Sequence, residues 1–422
     1  MRWRARVQLG LGAVGLAAIL IGARGQSTKP GDKSAFRRFT LASDPLDKGG
    51  GAADLSPNGT EVAVQATVLK RESRQFWGIQ FWDYRRPQIE AARPLAPAPS
   101  ATWDDRHPIA YTEHFIRYSP DGHFLLAFDG VTTLALLTVA QTEVHLLRTI
   151  DLGLSAERPT LRPADLQWSP DGERAAVLFS WRNFHEGVVR AYGIGTGQPL
   201  WQRSFTSVET GHAAWSPDGR KLAVTLLSGE KHTGYPPRDT FNLVILSGDS
   251  GRTLTQIETG DLAGPVCFGL ADTVATAPLH YHPQSRNWFR PDRATVWNAL
   301  DGGLIRHISS PGRDIHDYLE LSRDGAVLLA YVGREKSGPS LRAMGEDVER
   351  VVDERFQLFD YATGRLLATS PDLREPGLSC GNALPSFRLG PAADRVLVYW
   401  PIAACAPSVF ELGGPEDARG AP

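Results

Sequence analysis

The sequence predicts an all-β fold, a seven-bladed β-propeller of four-stranded antiparallel blades whose ring is closed by an N-terminal strand. Three observations lead to this prediction: a turn motif that recurs seven times, a short apolar strand after the turn, and a second recurrent turn that follows a third strand. A four-stranded sheet of this size cannot bury both of its faces alone. Neighbouring sheets must therefore stack around a common axis.

The first recurrent turn has an apolar residue followed by Ser-Pro-Asp-Gly or a close variant. Five clear copies and two degenerate copies lie at residues 55–59, 118–122, 168–172, 215–219, 321–325, 268–272 and 389–393. Proline presets φ for a tight turn, and Asp-Gly or Asn-Gly supplies a polar cap and a residue with positive φ. Each copy therefore predicts a hairpin turn between the first two strands of a blade.

Strand-like segments surround these turns. Short β-rich runs follow most of them, at residues 61–64, 124–128, 175–179, 222–226, 327–331 and 396–400. Third strands and a second glycine-containing turn occupy residues 189–197, 243–251, 296–302 and 356–364. A fourth short strand is expected after each second turn, which completes a blade.

The last repeat has too few strands of its own. Its third strand ends within residues 408–412, and a glycine-rich, polar tail follows. Residues 36–42 precede the first repeat and alternate in character, so we predict that they form the outer strand of the last blade. This pairing removes a free sheet edge that would otherwise invite aggregation.

Three features recur in a known family of propellers: the Ser-Pro-Asp-Gly turns, the strand endings at residues 81–83 (Phe-Trp-Asp) and 358–360 (Leu-Phe-Asp), and the pair Gly211-His212. Through these features the chain resembles the WD-repeat and Tol-type β-propeller family. The resemblance extends over residues 36–413 and implies the architecture. It says little about function, because sites vary within such families while their turns persist. Gly211-His212 is the only Gly-His pair that precedes a recurrent turn, since a second pair, Gly122-His123, lies at the end of one. Most of the buried His/Asp network of the family is therefore missing.

The first residues are typical of an export signal. Arg2, Arg4 and Arg6 precede an uncharged apolar stretch at residues 9–23 that ends in small residues. We expect a signal peptide over residues 1–23, a flexible lead-in over 24–35, the propeller over 36–413 and a disordered tail over 414–422. The expected location is secreted or periplasmic. In the alternative, an uncleaved segment keeps the protein at a membrane, although the stretch is short for a span.

Three cysteines fit an oxidising compartment. Cys380 and Cys405 flank one predicted hairpin and either pair or remain free, since sequence does not reveal connectivity, while Cys267 lies inside an apolar strand. Metal binding by these cysteines is not expected, because they lack the Cys-x-x-Cys spacing.

The net charge and the motifs of the chain argue against nucleic-acid binding and against catalysis. The net charge of −2 lacks the basic footprint of a nucleic-acid-binding protein, so no nucleic-acid partner is expected. We expect no catalytic residues, because zinc-protease and P-loop motifs are absent from the sequence, and no cofactor. The run Gly193-Ile-Gly-Thr-Gly197 is expected to be a turn between strands and not a dinucleotide site.

The candidate binding surface lies on the connections between second and third strands, which share the face opposite the Ser-Pro-Asp-Gly turns. Long connections are predicted at residues 70–75, 181–185, 231–238, 280–290 and 333–354, and they are rich in Trp, Tyr and Arg. The predicted binding residues are Trp181, Arg182, His185, His232, Tyr235, His280, Tyr281, His282, Trp288 and Arg290. The sequence thus favours an exported, monomeric binding platform for a protein or peptide.

Two alternatives remain open from the sequence. In the first, the aromatic and arginine side chains cover the rim and bind no partner. In the second, the chain is a propeller enzyme, such as a lyase, lactonase or glycan hydrolase, that uses the axial channel. His185 and His232 lie equally far beyond Ser169 and Ser216, so imidazoles from neighbouring blades, with His280, are candidates for Zn or Cu. No further ligand completes such a shell, and no metal site is assigned. Asp104 and Asp105 are the acid-base candidates of this alternative.

Overall fold

The architecture comes from a computed structural model of the 422-residue chain. It describes residues 36–40, 52–71, 74–85, 93–94, 115–128, 132–139, 144–154, 161–181, 186–206, 208–228, 243–259, 264–277, 280–282, 287–289, 292–336, 350–373, 385–400 and 407–412. Within these ranges, no helix of the length and apolar character needed to cross a membrane occurs.

The recurrent motif forms the predicted hairpin turn, as the copy at residues 168–172 illustrates. The Ser169 hydroxyl donates to the Asp171 carboxylate and accepts a hydrogen bond of 3.0 Å from the amide of Arg174. Gly172 donates its amide to the Ser169 carbonyl over 2.9 Å and has a φ of 73°, a conformation that favours glycine. Burial acts to raise the pKa of Asp171, but hydrogen bonds from Ser169 and the Glu173 amide, with the Arg174 charge, hold it below its usual value.

The degenerate copies form turns with other residues in the left-handed region. In the last copy, Ala393 has a φ of 55° and donates its amide to Gly390 over 2.9 Å. In the fifth copy, Ala271 and Asp272 have φ values of 51° and 57°. The last copy keeps the backbone hydrogen bonds of the clear copies, whereas the turn of the fifth copy is one residue shorter, because Gly269 donates its amide to the Thr273 carbonyl. The backbone of a non-glycine residue is strained in this region by roughly 1–2 kcal/mol.

The turns join the strands of seven four-stranded antiparallel blades, preceded by β1 (Phe36–Thr40). The first blade has β2 (Ala53–Leu55), β3 (Glu61–Arg71), β4 (Arg74–Asp83) and β5 (Arg93–Pro94). The second has β6 (Ile116–Tyr118), β7 (Phe124–Phe128), β8 (Thr133–Val139) and β9 (Val144–Asp151). The third has β10 (Leu161–Trp168), β11 (Arg174–Trp181), β12 (Glu186–Gly193) and β13 (Pro199–Thr206).

The remaining blades follow the same order. The fourth has β14 (Val208–Trp215), β15 (Lys221–Ser228), β16 (Leu243–Ser247) and β17 (Thr253–Ile257). The fifth has β18 (Val266–Phe268), β19 (Thr273–Thr276), β22 (Arg293–Asn298) and β23 (Leu304–Ser309), with the hairpin of β20 (His280–His282) and β21 (Asn287–Phe289) inserted. The sixth has β24 (Asp314–Leu321), β25 (Val327–Lys336), β26 (Arg350–Asp360) and β27 (Leu366–Thr369). The seventh has β28 (Ser386–Leu389), β29 (Arg395–Tyr399), β30 (Ser408–Leu412) and β1.

The N-terminal strand closes the ring, as the sequence predicts. β1 pairs antiparallel with β30, with Phe36 opposite Leu412. Phe36 is buried and meets Phe356 of the sixth blade edge to face, with ring centroids 5.2 Å apart. Phe39 meets Tyr84 of the first blade at 5.4 Å. The strand therefore completes the seventh blade and also fills both of its interfaces.

Neighbouring blades pack through apolar faces that alternate along each strand. Leu126 and Phe128 of the second blade share one core cluster with Val177 and Phe179 of the third, and each of these side chains is at most 2% exposed. Full burial of such a side chain contributes roughly 1.5–3 kcal/mol. Since similar clusters fill the other interfaces, most of the hydrophobic core lies between blades.

Cationic side chains connect blades at the turns. Arg174 of the third blade donates to the Gly219 carbonyl of the fourth at 2.9 Å. Lys221 of the fourth blade pairs with Asp272 of the fifth at 2.6 Å, and Arg395 of the seventh donates to the Gly59 carbonyl of the first at 3.0 Å. These three residues begin the second strands of their blades, so one position in the repeat supplies all three contacts.

The outer strands share a β-bulge. In the second to sixth blades, the register of the third and fourth strands shifts at the same point. The extra residues are Leu147, Leu200, Leu254, Ile305 and Leu367, and they are between 40% and 57% exposed. Each outer edge therefore carries an interruption and one exposed aliphatic side chain.

The long connections run between second and third strands, so the antiparallel order places them on the face opposite the turns. Several are more regular than the sequence suggests. Residues 70–75 are mostly strand, because β3 and β4 continue to a short hairpin end at Arg71 and Arg74. Residues 280–290 contain the β20–β21 hairpin, and β25 and β26 extend into the segment predicted as a loop at 333–354.

Cys267 is a free, buried cysteine of β18, as expected for an apolar strand. Burial raises the pKa of its thiol well above the usual range, which makes the thiolate scarce. Cys380 and Cys405 lie outside the described residues, and their pairing remains a prediction.

Deletion of residues 36–42 should lower the melting temperature by roughly 10 °C or more, because the seventh blade loses its outer strand and the packing of Phe36 and Phe39. Thermal unfolding followed by circular dichroism measures the change. Deletion of residues 26–34 is the control and should have little effect. A propeller that melts normally without residues 36–42 would contradict the closure.

Gly172→Ala should lower the free energy of unfolding by about 1–2 kcal/mol, because alanine is strained at a φ of 73°. A Cβ atom there would lie 3.8 Å from its nearest neighbour, in Pro120, so steric clash does not contribute. Ala393→Gly, the converse change, should be neutral or stabilising. Denaturant titration measures both, and equal stability of Gly172→Ala and the unchanged chain would show that the turn does not require glycine.

Candidate functional site

A cavity of about 740 Å³ lies on the propeller axis, where the first strands of the seven blades converge. Alternate residues of a strand lie on the same side, so the same two positions of the repeat recur in the lining from blade to blade. The position two residues before the motif serine contributes Asp54, Arg117, Gln167, Ala214, Cys267, Glu320 and Arg388. The position four residues before it contributes Phe115, Asp165, His212, Pro265, Tyr318 and Ser386. The volume suits a small molecule or the end of a chain.

The two sides of this axial cavity differ in chemistry. Around the ring, the sixth, seventh, first and second blades contribute Glu320, Arg388, Asp54 and Arg117, which alternate in charge and form the charged wall. Across the axis, the fourth and fifth blades contribute Ala214, Pro265 and Cys267, which form the small-residue wall. A ligand in the cavity therefore meets acidic and basic side chains on one side and, beside His212, mainly small side chains on the other.

The carboxylates beside the axis join the first strands of neighbouring blades. Asp54 accepts a hydrogen bond of 2.7 Å from the amide of Tyr118 in the second blade. Asp165 of the third blade accepts one of 3.0 Å from Ala213, and Glu320 of the sixth accepts one of 2.9 Å from Leu389. In three of the blade interfaces, a carboxylate therefore replaces the backbone pairing that a continuous sheet would supply.

Arg388 connects two of these carboxyl groups. Its Nε donates to Asp54 Oδ1 over 2.9 Å, and its Nη1 donates to the hydroxyl of Tyr318. The Tyr318 oxygen lies 2.8 Å from Glu320 Oε2 and 2.6 Å from the Phe387 carbonyl, which are both acceptors when Glu320 is ionised. A phenol has one proton. Arg388 Nη1 also donates to the Phe387 carbonyl over 2.9 Å, so this carbonyl has a donor even when the phenol donates to Glu320.

Burial decides the protonation state of Glu320. Burial, together with the nearby charge of Asp54, raises the pKa of Glu320 to about 8, although hydrogen bonds from Tyr318 and the Leu389 amide lower it. Burial also raises the pKa of Asp54 to about 6, although Arg117 and the amide of Tyr118 lower it. At neutral pH, Glu320 is therefore mostly protonated and Asp54 mostly ionised.

Arg117 is the least satisfied charged group of the cavity. Its Nη1 donates to its neighbour Ile116 at 2.9 Å, but its Nε is buried without a hydrogen-bond partner in the part of the chain that the structure describes. Burial works against its charge, yet Tyr399, Asp54 and Asp165 outweigh burial and raise its pKa, so it stays cationic. An unpartnered guanidinium N–H is a donor awaiting an acceptor.

The structure describes only some of the residues predicted from the sequence. Arg182, His185, His232, Tyr235 and Arg290 fall outside the described residues, as do Asp104 and Asp105. The structure describes the backbone but not the side chains of the others: Trp181 ends β11, His280, Tyr281 and His282 form β20, and Trp288 lies in β21. The binding surface therefore stays a prediction. Within the described ranges, no group of three or more His, Cys, Asp or Glu residues is placed to hold a metal.

Sequence reasoning missed the axial residues, although a signal was present. Arg117 interrupts the apolar pair Ile116 and Tyr118, and Glu320 lies between Leu319 and Leu321. A charged residue inside a short strand next to the recurrent turn points to the propeller axis, because first strands line it.

The expectation that the chain has no catalytic residues also overlooked one segment. Residues 377–381 read Gly-Leu-Ser-Cys-Gly, which matches the Gly-x-Ser-x-Gly form of a nucleophile elbow. The segment lies outside the described residues, between β27 and β28. A nucleophile elbow joins a strand to a helix, whereas this segment joins two strands of successive blades, so the motif has little weight here.

Glu320→Gln should remove part of the pH dependence of stability. The carboxyl pKa rises from 4.5 to about 8 on folding, so its protonation stabilises the folded state fully below pH 4.5, and this stability is lost as pH rises to about 8. Between about pH 7 and 8, where Asp54 has largely finished titrating, the free energy of unfolding of the unchanged chain should fall by up to about 1.4 kcal/mol per pH unit relative to the variant.

Denaturant titrations over this pH range measure the difference. Glu173→Gln, which changes an exposed glutamate of the third turn, is the matched control and should follow the unchanged chain. Parallel pH profiles for the unchanged chain and Glu320→Gln would show that Glu320 is not held in its neutral form.

Comparison with known proteins supports the architecture. No protein-family model and no curated protein sequence matches the chain. Among solved structures, 1025 chains are similar in three dimensions. One belongs to the crystal structure of the mitotic checkpoint complex, with a TM-score of 0.56 and 14% sequence identity over 98% of this chain and 100% of that one. At this identity the likeness shows the fold, and the chain is a β-propeller.

Proposed function

We propose that this β-propeller is an exported binding platform, of the WD-repeat or Tol type, that holds a protein or peptide partner and performs no catalysis. The observation that carries the proposal is the common position of its insertions. The extended or inserted connections of the first, fifth and sixth blades all lie between the second and third strands. They therefore project from one face, which we name the long-loop face.

The insertions of the long-loop face have a regular backbone where the structure describes them. In the fifth blade, β20 pairs with β21, with Tyr281 opposite Trp288. In the sixth, pairing of β25 and β26 continues outward to Lys336 and Arg350. Hairpins anchored on a rigid sheet present side chains at a lower entropic cost than free loops do, and aromatic residues in such positions often dominate binding energy.

The similar solved chain supports the proposal by analogy. It belongs to the mitotic checkpoint complex, so a propeller of this architecture is found in an assembly of proteins. The proposed location, secreted or periplasmic, depends on the signal-like residues 1–23. We propose further that the free protein is a monomer, that its partner is not a nucleic acid, and that the membrane is involved only when the N-terminal segment is retained.

A crosslinking comparison of the two faces tests the platform. A photoreactive amino acid at Tyr281 or Trp288 should capture a protein or peptide from the exported fraction, because these positions belong to the long-loop face. The same group at Arg220, which is 82% exposed on the turn face, is the matched control and should capture at least about tenfold less of that partner.

Substitution then tests the captured partner. Tyr281→Ala combined with Trp288→Ala should weaken its binding at least about tenfold in a pull-down with purified components, as loss of an aromatic anchor typically does. Arg220→Ala should leave binding unchanged. Capture that is equal from both faces, or binding that survives the double substitution, would contradict the assignment of the face.

A further inference from the structure

The axial cavity has the features of a second binding site, on a different part of the propeller from the long-loop face. It is bounded by the first strands of all seven blades and extends to the prolines of the turns, including Pro57, Pro120 and Pro170. Its two walls differ: Arg117, whose Nε is buried, lies on the charged side, and Ala214 and Cys267 leave space on the other.

The unpartnered donor defines the chemistry of an occupant. A guanidinium presents Nε and Nη in one plane, and this pair fits the two oxygens of a carboxylate. Arg117 already uses Nη1 on the backbone of Ile116, whereas its Nε has no acceptor among the described residues. An acceptor supplied by a ligand would satisfy this group, while a cationic ligand would leave it unsatisfied and add repulsion.

The second wall defines the rest of the occupant. Ala214, Pro265 and Cys267 offer small or apolar side chains, and the buried Cys267 thiol is a poor nucleophile because burial raises its pKa. An apolar body fits against this wall without leaving polar groups unpaired. The cavity thus combines an anion-accepting side with an apolar side.

We propose that the axial cavity binds a carboxylate with an apolar body, with the carboxylate on Arg117 and the body against the small-residue wall. Two sources have this chemistry, a free organic acid and the C-terminal carboxylate of an apolar peptide. The proposal is independent of the long-loop face, because none of the residues that carry it belongs to that face.

The charge balance of the site couples binding to protonation. Arg117, Arg388 and Tyr318 face Glu320 together with Asp54 and Cys267. Arg117, Arg388 and Tyr399 surround Asp54. An entering carboxylate adds a negative charge and so raises the pKa of both acids further. Binding therefore takes up protons, and affinity should fall as pH rises from about 6 to about 9, by up to about tenfold per pH unit for each acid.

Isothermal titration calorimetry of the full-length chain with naphthoate and its uncharged amide tests the proposal. At about pH 6 the acid should bind at least about tenfold more tightly than the amide, and its affinity should drop at least about tenfold by about pH 9. The proposal would be overturned if the acid and the amide bound equally, or if the affinity did not depend on pH. It would also be overturned if neither naphthoate nor an apolar peptide with a free C-terminus bound.

Two variants locate the binding site. Arg117→Lys keeps the charge but loses the planar donor pair, and it should weaken naphthoate binding about tenfold. Ala214→Leu fills the small-residue wall without touching the charged wall and should abolish binding. Ala362→Leu, at an exposed alanine of the sixth blade, is the matched control. If Arg117→Lys fails to fold, Ala214→Leu alone tests the position of the site. Naphthoate binding that survives Ala214→Leu would overturn the proposal.

A peptide arm separates the two sources. A four-residue apolar peptide with a free C-terminus is compared with the same peptide amidated. If the free peptide binds more tightly than naphthoate, and Ala214→Leu abolishes this binding, a chain terminus is the occupant. If naphthoate binds more tightly than the free peptide, the occupant is a small organic acid. The double substitution of Tyr281 and Trp288 should leave both unchanged, so failure of this proposal is distinguishable from failure of the platform.

Discussion

Each blade of this propeller depends on both of its neighbours, because a four-stranded sheet buries an apolar face only against another sheet. The constraint is circular: the first and seventh blades must meet as closely as any other pair. The pairing of β1 with β30 satisfies it by combining the two ends of the described chain in one blade. Phe36 and Phe39 extend the contact into the sixth and first blades. The apolar interfaces, the cationic contacts at the turns and the axial cavity all follow from this closure.

The architecture was predictable because its signals are local. Proline, aspartate and glycine act within a few residues, so one turn motif identifies one hairpin wherever it occurs. The closing strand was predictable from a missing element, since the last repeat lacks its fourth strand. The regular hairpins within the long connections were not predicted, because Gln, Ser and Arg at residues 72–75 and 283–286 are equally compatible with irregular loops. The β20–β21 hairpin is one example of this ambiguity.

The axial site is harder to read from sequence because its members converge from distant repeats. Asp54, Arg117 and Arg388 belong to three blades, and only closure of the ring brings them together. The first strand of each of these three blades has a single charged residue, which alone indicates a fold contact as well as a site. In the structure both readings hold for Asp54 and Glu320, since each stabilises a blade interface and lines the cavity. This double role joins folding to the electrostatic character of the channel, because one set of buried charges serves both.

The bulges of the outer strands bear on how the molecule meets others. A strand from another chain extends a sheet only along a continuous row of free amides and carbonyls. In five blades that row is broken at the same level, where Leu147, Leu200, Leu254, Ile305 or Leu367 is displaced from the register. The circumference therefore resists lateral polymerisation into sheets shared between molecules. Partners are therefore recognised by side chains on the two faces and along the axis. Substitutions at these positions do not create a continuous free strand edge, so they do not promote edge-to-edge assembly.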